Sequence, residues 1–161
     1  MARAGGSRLA KVLTVSDGVA EGVREDRSGV GLVEQLTGAG FTVLAKAVVA
    51  DGELSVAAAV SSLAESFTGL LVTTGGTGFG PRDLTPEGTR RVLEREAPGL
   101  AEAMRLASPL GRLSRGVAGT VGKCLVLNTP GSPKGAVECL GAVLDVLPHA
   151  LDLLAGLTSP H

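Results

Sequence analysis

Residues 69–73 form a continuous apolar run that leads directly into a glycine-rich loop, Thr73-Thr74-Gly75-Gly76-Thr77-Gly78. An apolar run without polar alternation is typical of a strand that is buried on both faces of a parallel sheet. The glycines that follow allow positive φ and let the backbone approach a ligand closely. Successive exposed N–H groups in such a loop form a concave site for an anion. This feature therefore predicts a covered parallel sheet with an anion site at the end of one strand.

An acidic residue, Asp83, follows the glycine loop and precedes a helix-start signal, Thr85-Pro86-Glu87. The start of a helix favours phosphate because its free N–H groups point outward. A carboxylate repels phosphate unless a divalent cation lies between them, and Mg²⁺ commonly joins one or two carboxylates to substrate phosphates. Alternatively, Asp83 is a helix-flanking acid that the helix dipole favours. The segment as a whole is typical of a nucleotide or phosphate site with a metal ion.

Apolar runs that end in turn residues alternate with segments of helical periodicity along the whole chain. The predicted order is strand 10–15, helix 28–36, strand 41–49, helix 53–66, strand 69–73, helix 85–96, helix 100–106, hairpin 116–127 and a final helical segment 137–154 that Pro148 divides. Such an order predicts a three-layer α/β fold, with a mainly parallel sheet, helices on both faces and a small antiparallel hairpin. We expect residues 1–161 to form one domain, with residues 1–8 flexible.

Several loops are expected to meet at one edge of this sheet, because ligands of open α/β sheets bind outside the carboxyl ends of the strands. Asp17, Asp51, the glycine loop and the turn-rich loop 128–133 each follow a predicted strand. Asp17 and Asp51 are equally compatible with ordinary turn positions, where Asp is common. Their shared edge is therefore the reason to treat them as candidate site residues.

Composition and charge restrict the possible functions. A formal net charge of −1 gives no electrostatic reason to expect nucleic-acid binding. The chain has no apolar stretch of about 18 residues, so we expect no membrane span, and no signal-type apolar region follows the charged start, which indicates the cytoplasm. Cys124 and Cys139 belong to no CxxC motif or Cys/His cluster, so we expect them to be small buried hydrophobic residues.

Four motifs stand in the order found in a known family. They are Val15-Ser16-Asp17, the glycine motif with Asp83 and Thr85-Pro86-Glu87, Leu113-Ser114-Arg115, and Asn128-Thr129-Pro130-Gly131-Ser132-Pro133. On these residues the chain resembles the molybdopterin adenylyltransferases, a family that includes the molybdenum cofactor biosynthesis protein B group and the amino-terminal domain of gephyrin. The similarity covers residues 11–154 approximately, and the pairing of the glycine motif with the Pro-Gly-Ser-Pro loop makes it specific. Thr129 departs from the pattern, because the family more often has an apolar residue there.

The resemblance implies transfer of AMP from ATP to the terminal phosphate of molybdopterin, with release of pyrophosphate. It also implies Mg²⁺ as cofactor, ATP as co-substrate, and a homotrimer or a larger assembly. Asp51 and Asp83 are the expected metal ligands and catalytic residues. Arg115 is expected to grip a pterin phosphate, whereas the roles of Glu87 and Lys134 stay open. The residues expected to bind the substrates are Thr74, Gly75, Gly76, Thr77, Gly78, Asp17, Ser114, Arg115, Pro130, Gly131 and Ser132.

Two further functions remain open from the sequence. The first is a binding module that keeps the pterin cleft without catalysis, although a pure anion binder gains little from Asp51 and Asp83. The second is a hydrolase of a nucleotide-like compound, because related domains occur in competence-damage proteins. We expect no additional catalytic domain in this chain, which makes the hydrolase the weaker hypothesis.

Overall fold

A computed structural model describes residues 8–157, so nearly all of the segment 1–8 that we expected to be flexible lies outside the described residues. The strands of the described residues are β1 Leu9–Val15, β2 Thr42–Val49, β3 Gly69–Thr74, β4 Arg95–Glu96, β5 Ala118–Val121 and β6 Cys124–Thr129. They form one sheet in the order β2-β1-β3-β6-β5-β4. Pairing is parallel from β2 through β1 and β3 to β6, and antiparallel from β6 through β5 to β4. The predicted mainly parallel sheet with an antiparallel hairpin is confirmed.

The helices of the described residues are α1 Asp17–Ala20, α2 Arg27–Gly38, α3 Glu53–Ala64, α4 Thr85–Val92, α5 Pro98–Arg105, α6 Pro133–Gly141 and α7 Leu147–Leu154, with a 3₁₀ helix at Pro109–Leu113. They cover both faces of the sheet because successive strand residues point to opposite sides. Val12 and Val72 belong to a core on the face of α2, α5, α6 and α7, whereas Leu13 and Leu71 belong to a second core beneath α3 and α4. None of these helices is both long and apolar enough to span a bilayer.

The helix predicted over residues 85–96 is shorter in the structure. α4 ends at Val92, because Leu93 turns to an extended backbone conformation. Arg95 and Glu96 then pair with β5 as the antiparallel strand β4. The free edge of β5 offers backbone hydrogen bonds to these exposed residues, and a local sequence pattern cannot show a partner that is so far along the chain. The prediction of helix for this last turn was therefore wrong.

α2 begins at Arg27, one residue before the predicted start at Ser28, and Asp26 caps it. The Asp26 Oδ1 atom accepts a hydrogen bond from the N–H of Gly29 at 3.0 Å and from the hydroxyl of Thr14 at 2.8 Å. The Asp26 Oδ2 atom lies 2.6 Å from Nζ of Lys46 in β2. Ser28 itself is buried. One carboxylate thus joins β1, β2 and the start of α2, and it fixes the chain that leaves the end of β1.

A buried polar network lies beneath the ends of the central strands. The side-chain amide of Asn128 in β6 donates to the hydroxyls of Thr73 at 2.9 Å and Thr89 at 3.1 Å. Its Oδ1 atom accepts the N–H of Val117 at 3.1 Å. Buried polar groups are stabilising only when they are paired, as all of these are. The network therefore holds β3, β6, α4 and the chain before β5 in one arrangement.

The substitution Asn128→Ala should lower the free energy of unfolding by about 2–4 kcal/mol, because it leaves the Val117 N–H unpaired and opens a cavity. Urea unfolding measures the change. Ser62→Ala, on the exposed face of α3, is the control and should stay within about 0.5 kcal/mol of the parent. An Asn128→Ala value as small as the control's would show that the network does not hold the strand ends.

Candidate functional site

A cleft of about 980 Å³ opens at the carboxyl ends of the parallel strands. Its walls come from the glycine loop after β3, the loop after β6, the chain between β1 and α2, and the 3₁₀ helix. Asp17 and Arg115 lie beside this cleft and are not part of its lining. The predicted site residues that line it are Asp51, Thr74, Gly75, Gly76, Thr77, Gly78, Asp83, Ser114, Pro130, Gly131 and Ser132.

The glycine loop leaves β3 in a conformation that favours glycine. Gly75 and Gly76 have φ of +103° and +69°. A Cβ added at Gly75 would lie 2.2 Å from the carbonyl oxygen of Val15, so a side chain has no room there. Thr85, at the start of α4, fastens the loop from behind: its hydroxyl donates to the Gly75 carbonyl at 2.8 Å and its N–H donates to the Gly76 carbonyl at 3.0 Å. The Thr85 hydroxyl makes no capping bond to α4 and holds the loop instead.

Three consecutive backbone N–H groups of the loop face no protein acceptor. Within residues 8–157, no hydrogen bond from the amides of Gly76, Thr77 or Gly78 is formed. Their carbonyl groups, in contrast, all accept hydrogen bonds. The Thr85 N–H donates to the Gly76 carbonyl, the backbone N–H of Arg115 donates to the Thr77 carbonyl at 2.9 Å, and Nε of Arg115 donates to the Gly78 carbonyl at 2.8 Å. A run of free amides with paired carbonyls has a net positive potential, which suits an anion in the cleft.

The loop after β6 continues the same surface. The Thr74 hydroxyl donates to the carbonyl of Pro130 at 2.7 Å. A Cβ added at Gly131 would lie 3.3 Å from the Cα of Gly75, so the two loops touch at their glycines. Ser132 caps α6 with its hydroxyl. The two motifs that carry the sequence resemblance therefore form adjacent parts of one wall.

Two carboxylates flank the glycine loop. The Asp51 Oδ2 atom accepts the N–H of Asp17 at 2.9 Å, and its Oδ1 atom would lie 3.1 Å from a Cβ added at Gly76. The Asp83 Oδ2 atom accepts the N–H of Gly80 at 2.9 Å. Both acids line the cleft, and the Asp83 Oδ2 atom would lie 3.0 Å from a Cβ added at Gly78, so each acid has an oxygen close to a glycine of the loop.

The electrostatics of this pair favour a cation between them. Burial raises the pKa of Asp51 above its usual 3.8. The hydrogen bond that the Asp17 N–H donates to this carboxylate lowers the pKa. The negative charges of Asp17 and Asp83 raise this pKa further, so the two cleft acids are close enough to interact. Among the described residues no group of three or more His, Cys, Asp or Glu side chains could hold a metal by itself. Two carboxylates fit Mg²⁺, which usually takes its remaining ligands from water and substrate phosphates.

Arg115 lies behind the loop, and all three of its side-chain nitrogens bond to the chain. It donates to both carboxylate oxygens of Glu87, at 2.7 and 3.2 Å, and to the carbonyls of Gly78 and Asp83. Contact with a pterin phosphate stays a prediction, and it would require some of these bonds to open. The sequence left the role of Glu87 open. In the structure its carboxylate forms an ion pair with Arg115 and holds that side chain against the loop.

Part of the cleft was not found from the sequence. Besides Lys134, whose role the sequence left open, α6 contributes Glu138 to the cleft. The start of α2 contributes Arg27 and Ser28, and the chain between β1 and α2 contributes Arg24. This chain follows a strand end in the same way as the glycine loop does, and that position was the available signal. Its glycine and acidic residues are spread among other residue types, without a Gly-Gly pair such as Gly75-Gly76, so only the folded arrangement shows which of them face the cleft.

Comparison with known proteins adds independent findings. Residues 11–149 match the family of probable molybdopterin binding domains. A molybdopterin adenylyltransferase of Helicobacter pylori J99 is 39% identical over 152 residues, which are 90% of this chain and 86% of that protein. The Escherichia coli K12 protein of the same name is 34% identical over 90% of this chain and 84% of its own length. The solved structure of the molybdopterin biosynthesis enzyme MoaB from Thermus thermophilus is 49% identical, with a TM-score of 0.87 over 92% of this chain and 96% of that chain.

Gly76→Ala and Gly122→Ala form a matched pair that tests the glycine loop. Both glycines have positive φ, of +69° and +57°, but only Gly76 is crowded, since its Cβ would lie 2.2 Å from the Thr85 hydroxyl. Gly122→Ala should cost about 1 kcal/mol of unfolding free energy, and Gly76→Ala should cost at least about 2 kcal/mol. Urea unfolding measures both, and equal costs would show that the Thr85 contact does not constrain the loop.

The Glu87–Arg115 pair should make stability depend on pH. The hydrogen bond from Arg115 lowers the pKa of Glu87 below its usual 4.5. A carboxyl group whose pKa is lowered by folding stabilises the protein above its unfolded pKa, and this stabilisation is lost as the pH falls through the folded value. Glu87→Gln should therefore cost about 1 kcal/mol or less at pH 7, and the difference from the parent should shrink as the pH falls below 4.5.

Urea unfolding at several pH values measures this difference. The exposed Glu65, just after α3, provides Glu65→Gln as the control for removing one negative charge. A difference between parent and Glu87→Gln that stays constant down to acid pH would contradict the ion-pair explanation.

Proposed function

Because the chain belongs to the family of probable molybdopterin binding domains, we propose that it is a molybdopterin adenylyltransferase that acts in molybdenum cofactor biosynthesis. The names of its relatives support the reaction, since the H. pylori and E. coli proteins are molybdopterin adenylyltransferases. One observation of the site carries the proposal. The free amides of Gly76, Thr77 and Gly78 lie in a cleft that also contains the carboxylates of Asp51 and Asp83.

The proposed reaction transfers AMP between two phosphate-bearing molecules. A terminal phosphate oxygen of molybdopterin forms a bond to the α-phosphorus of ATP, the bond from this phosphorus to the bridging oxygen of the β-phosphate breaks, and pyrophosphate leaves. The substrate supplies the nucleophile, so no Ser/His/Asp triad is needed. The protein has to hold two anions in line and neutralise their charge.

The residues of the cleft are suited to these tasks. The free amides of the glycine loop would hold phosphate oxygens of ATP, while Asp51 and Asp83 would hold Mg²⁺. When bound, Mg²⁺ would supply positive charge against the phosphates and the leaving pyrophosphate. A volume of about 980 Å³ is at the upper end for small-molecule sites, which suits two substrates side by side. Pro130, Gly131 and Ser132 would form the pterin side of the cleft, where Lys134 would add positive charge.

We place the enzyme in the cytoplasm as a homotrimer, following the family resemblance. Exposed apolar side chains at Val23, Leu106 and Leu110 are compatible with contacts between subunits. Sedimentation velocity distinguishes a trimer from a monomer or a larger assembly.

Asp83→Asn should lower the rate of adenylylation by about two orders of magnitude or more, because charge stabilisation by a metal is worth several kcal/mol. The measurement is pyrophosphate release in the presence of molybdopterin, ATP and Mg²⁺. Thermal unfolding checks that the variant is folded. Asp145→Asn, an exposed acid between α6 and α7, is the control and should leave the rate unchanged.

An unchanged rate in Asp83→Asn would refute the metal assignment. Two results for the parent protein would refute the proposed function. Molybdopterin binding without pyrophosphate release would favour the non-catalytic binding module. Cleavage of ATP in the absence of molybdopterin would favour the hydrolase.

A further inference from the structure

Asp17 and Asp51 exchange hydrogen bonds between their side chains and backbones. The Asp51 carboxylate accepts the N–H of Asp17 at 2.9 Å, and the Asp17 carboxylate accepts the N–H of Asp51 at 3.1 Å. The exchange joins the start of α1 to the turn after β2. It uses the Oδ2 atom of Asp51, and the Oδ1 atom remains next to Gly76. The orientation of one cleft acid therefore depends on a residue that does not line the cleft.

Arg82 bonds to both members of this exchange. Its Nε atom lies 2.6 Å from Asp17 Oδ2, and its Nη2 atom lies 3.0 Å from Asp17 Oδ1. The same Nη2 atom donates to the backbone carbonyl of Asp51 at 2.8 Å. Arg82 directly precedes Asp83 in the chain. The backbone that carries the second cleft acid is thus fastened to the turn that carries the first.

Arg82 also neutralises one of the three acids near the cleft. The Arg82 hydrogen bond lowers the pKa of Asp17, so this third carboxylate is ionised and paired. Asp51 and Asp83 are left as the acids that line the cleft. Pairing of Asp17 with a guanidinium reduces the repulsion that a nearby negative charge would exert on a phosphate ligand.

Stability alone does not account for Arg82. Its side chain is 62% exposed, and exposed ion pairs contribute little to the free energy of folding. A forked guanidinium is, however, well suited to hold two acceptors in a fixed geometry. On the other side of the same loop, Arg115 bonds to the carbonyls of Gly78 and Asp83. The segment from Gly78 to Asp83 is therefore fastened at two places.

We propose that Arg82 and Asp17 are positioning residues that set the separation and orientation of the Asp51 and Asp83 carboxylates for a divalent cation with a nucleotide. The identity of this ligand as Mg²⁺–ATP rests on the proposed function. The positioning itself is a property of the protein without ligand. Residues that orient metal ligands typically affect metal affinity or activity by about 10–100-fold when they are changed.

Binding of Mg²⁺–ATP to the trimer or other native assembly tests the positioning role by calorimetry. Arg82→Gln and Asp17→Asn should each weaken binding about tenfold or more. The double variant Arg82→Gln/Asp17→Asn should have the same affinity as whichever single variant binds with the lower affinity. Both changes break the one Arg82–Asp17 ion pair, so their effects should not add. The unfolding temperature should change little. Arg91→Gln is the matched control, since Arg91 forms an ion pair with Glu53 at the same 2.6 Å distance and lies outside the cleft lining.

Arg82→Lys separates position from charge. A lysine keeps the positive charge but cannot hold the Asp17 carboxylate and the Asp51 carbonyl with one fork. The variant should therefore bind Mg²⁺–ATP about as weakly as Arg82→Gln. Full affinity in Arg82→Lys would show that charge alone is needed, and this result would overturn the positioning role.

A measurement without ligand keeps the inference separate from the proposed function. Amide hydrogen exchange by NMR follows the N–H groups of Asp51 and Gly80, which donate to the carboxylates of Asp17 and Asp83. Arg82→Gln should accelerate exchange at both sites at least about tenfold, whereas Arg91→Gln should not. Unchanged exchange would overturn the inference even if the parent binds Mg²⁺–ATP. If Arg82→Gln accelerates exchange but the parent protein does not bind Mg²⁺–ATP, the positioning inference would be supported and the proposed function refuted.

Discussion

The parallel pairing of β3 with both of its neighbours is the constraint on which the site depends. Thr74 at the end of β3 pairs with Thr14 of β1 on one side and with Thr129 of β6 on the other. The three strands therefore end at the same level, and the loops that follow them leave the sheet side by side. β3 is buried along its whole length, so a slip of one residue would exchange its side chains between the two cores. The cores thereby hold the register that brings the loops together.

The glycine loop leaves its amides free because its carbonyl groups are bound elsewhere. Thr85 and Arg115 occupy the carbonyls of residues 75–78 from behind. Without these bonds the loop could turn either its amides or its carbonyls toward the cleft, since glycine permits both. Glu87 in turn holds Arg115, so an ion pair outside the cleft lining supports the free amides within it. The free amides thus depend on contacts that lie outside the cleft lining.

Charge is distributed so that the cleft is suited to a cation and phosphates together. Three acids lie near the ends of β1, β2 and β3, and one of them, Asp17, is paired with Arg82. The remaining two, Asp51 and Asp83, face the same space as the free amides. Phosphate alone would be repelled by the acids, and a metal alone would gain nothing from the amides. A phosphate with a bridging cation satisfies both sets of groups.

The sequence by itself determined the strand–loop–helix order, the glycine loop and the acids beside it, because apolar runs, glycine and proline act on the backbone locally. These features also carry the family resemblance and place Asp51 and Asp83 at one sheet edge. Only the tertiary structure decided that Arg115 holds the back of the loop, that Asp17 lies beside the cleft, and that residues 95–96 form a strand. Each of these outcomes depends on a partner far along the chain, and a long side chain such as that of arginine reaches several such partners. Local preference cannot choose between them, whereas packing does.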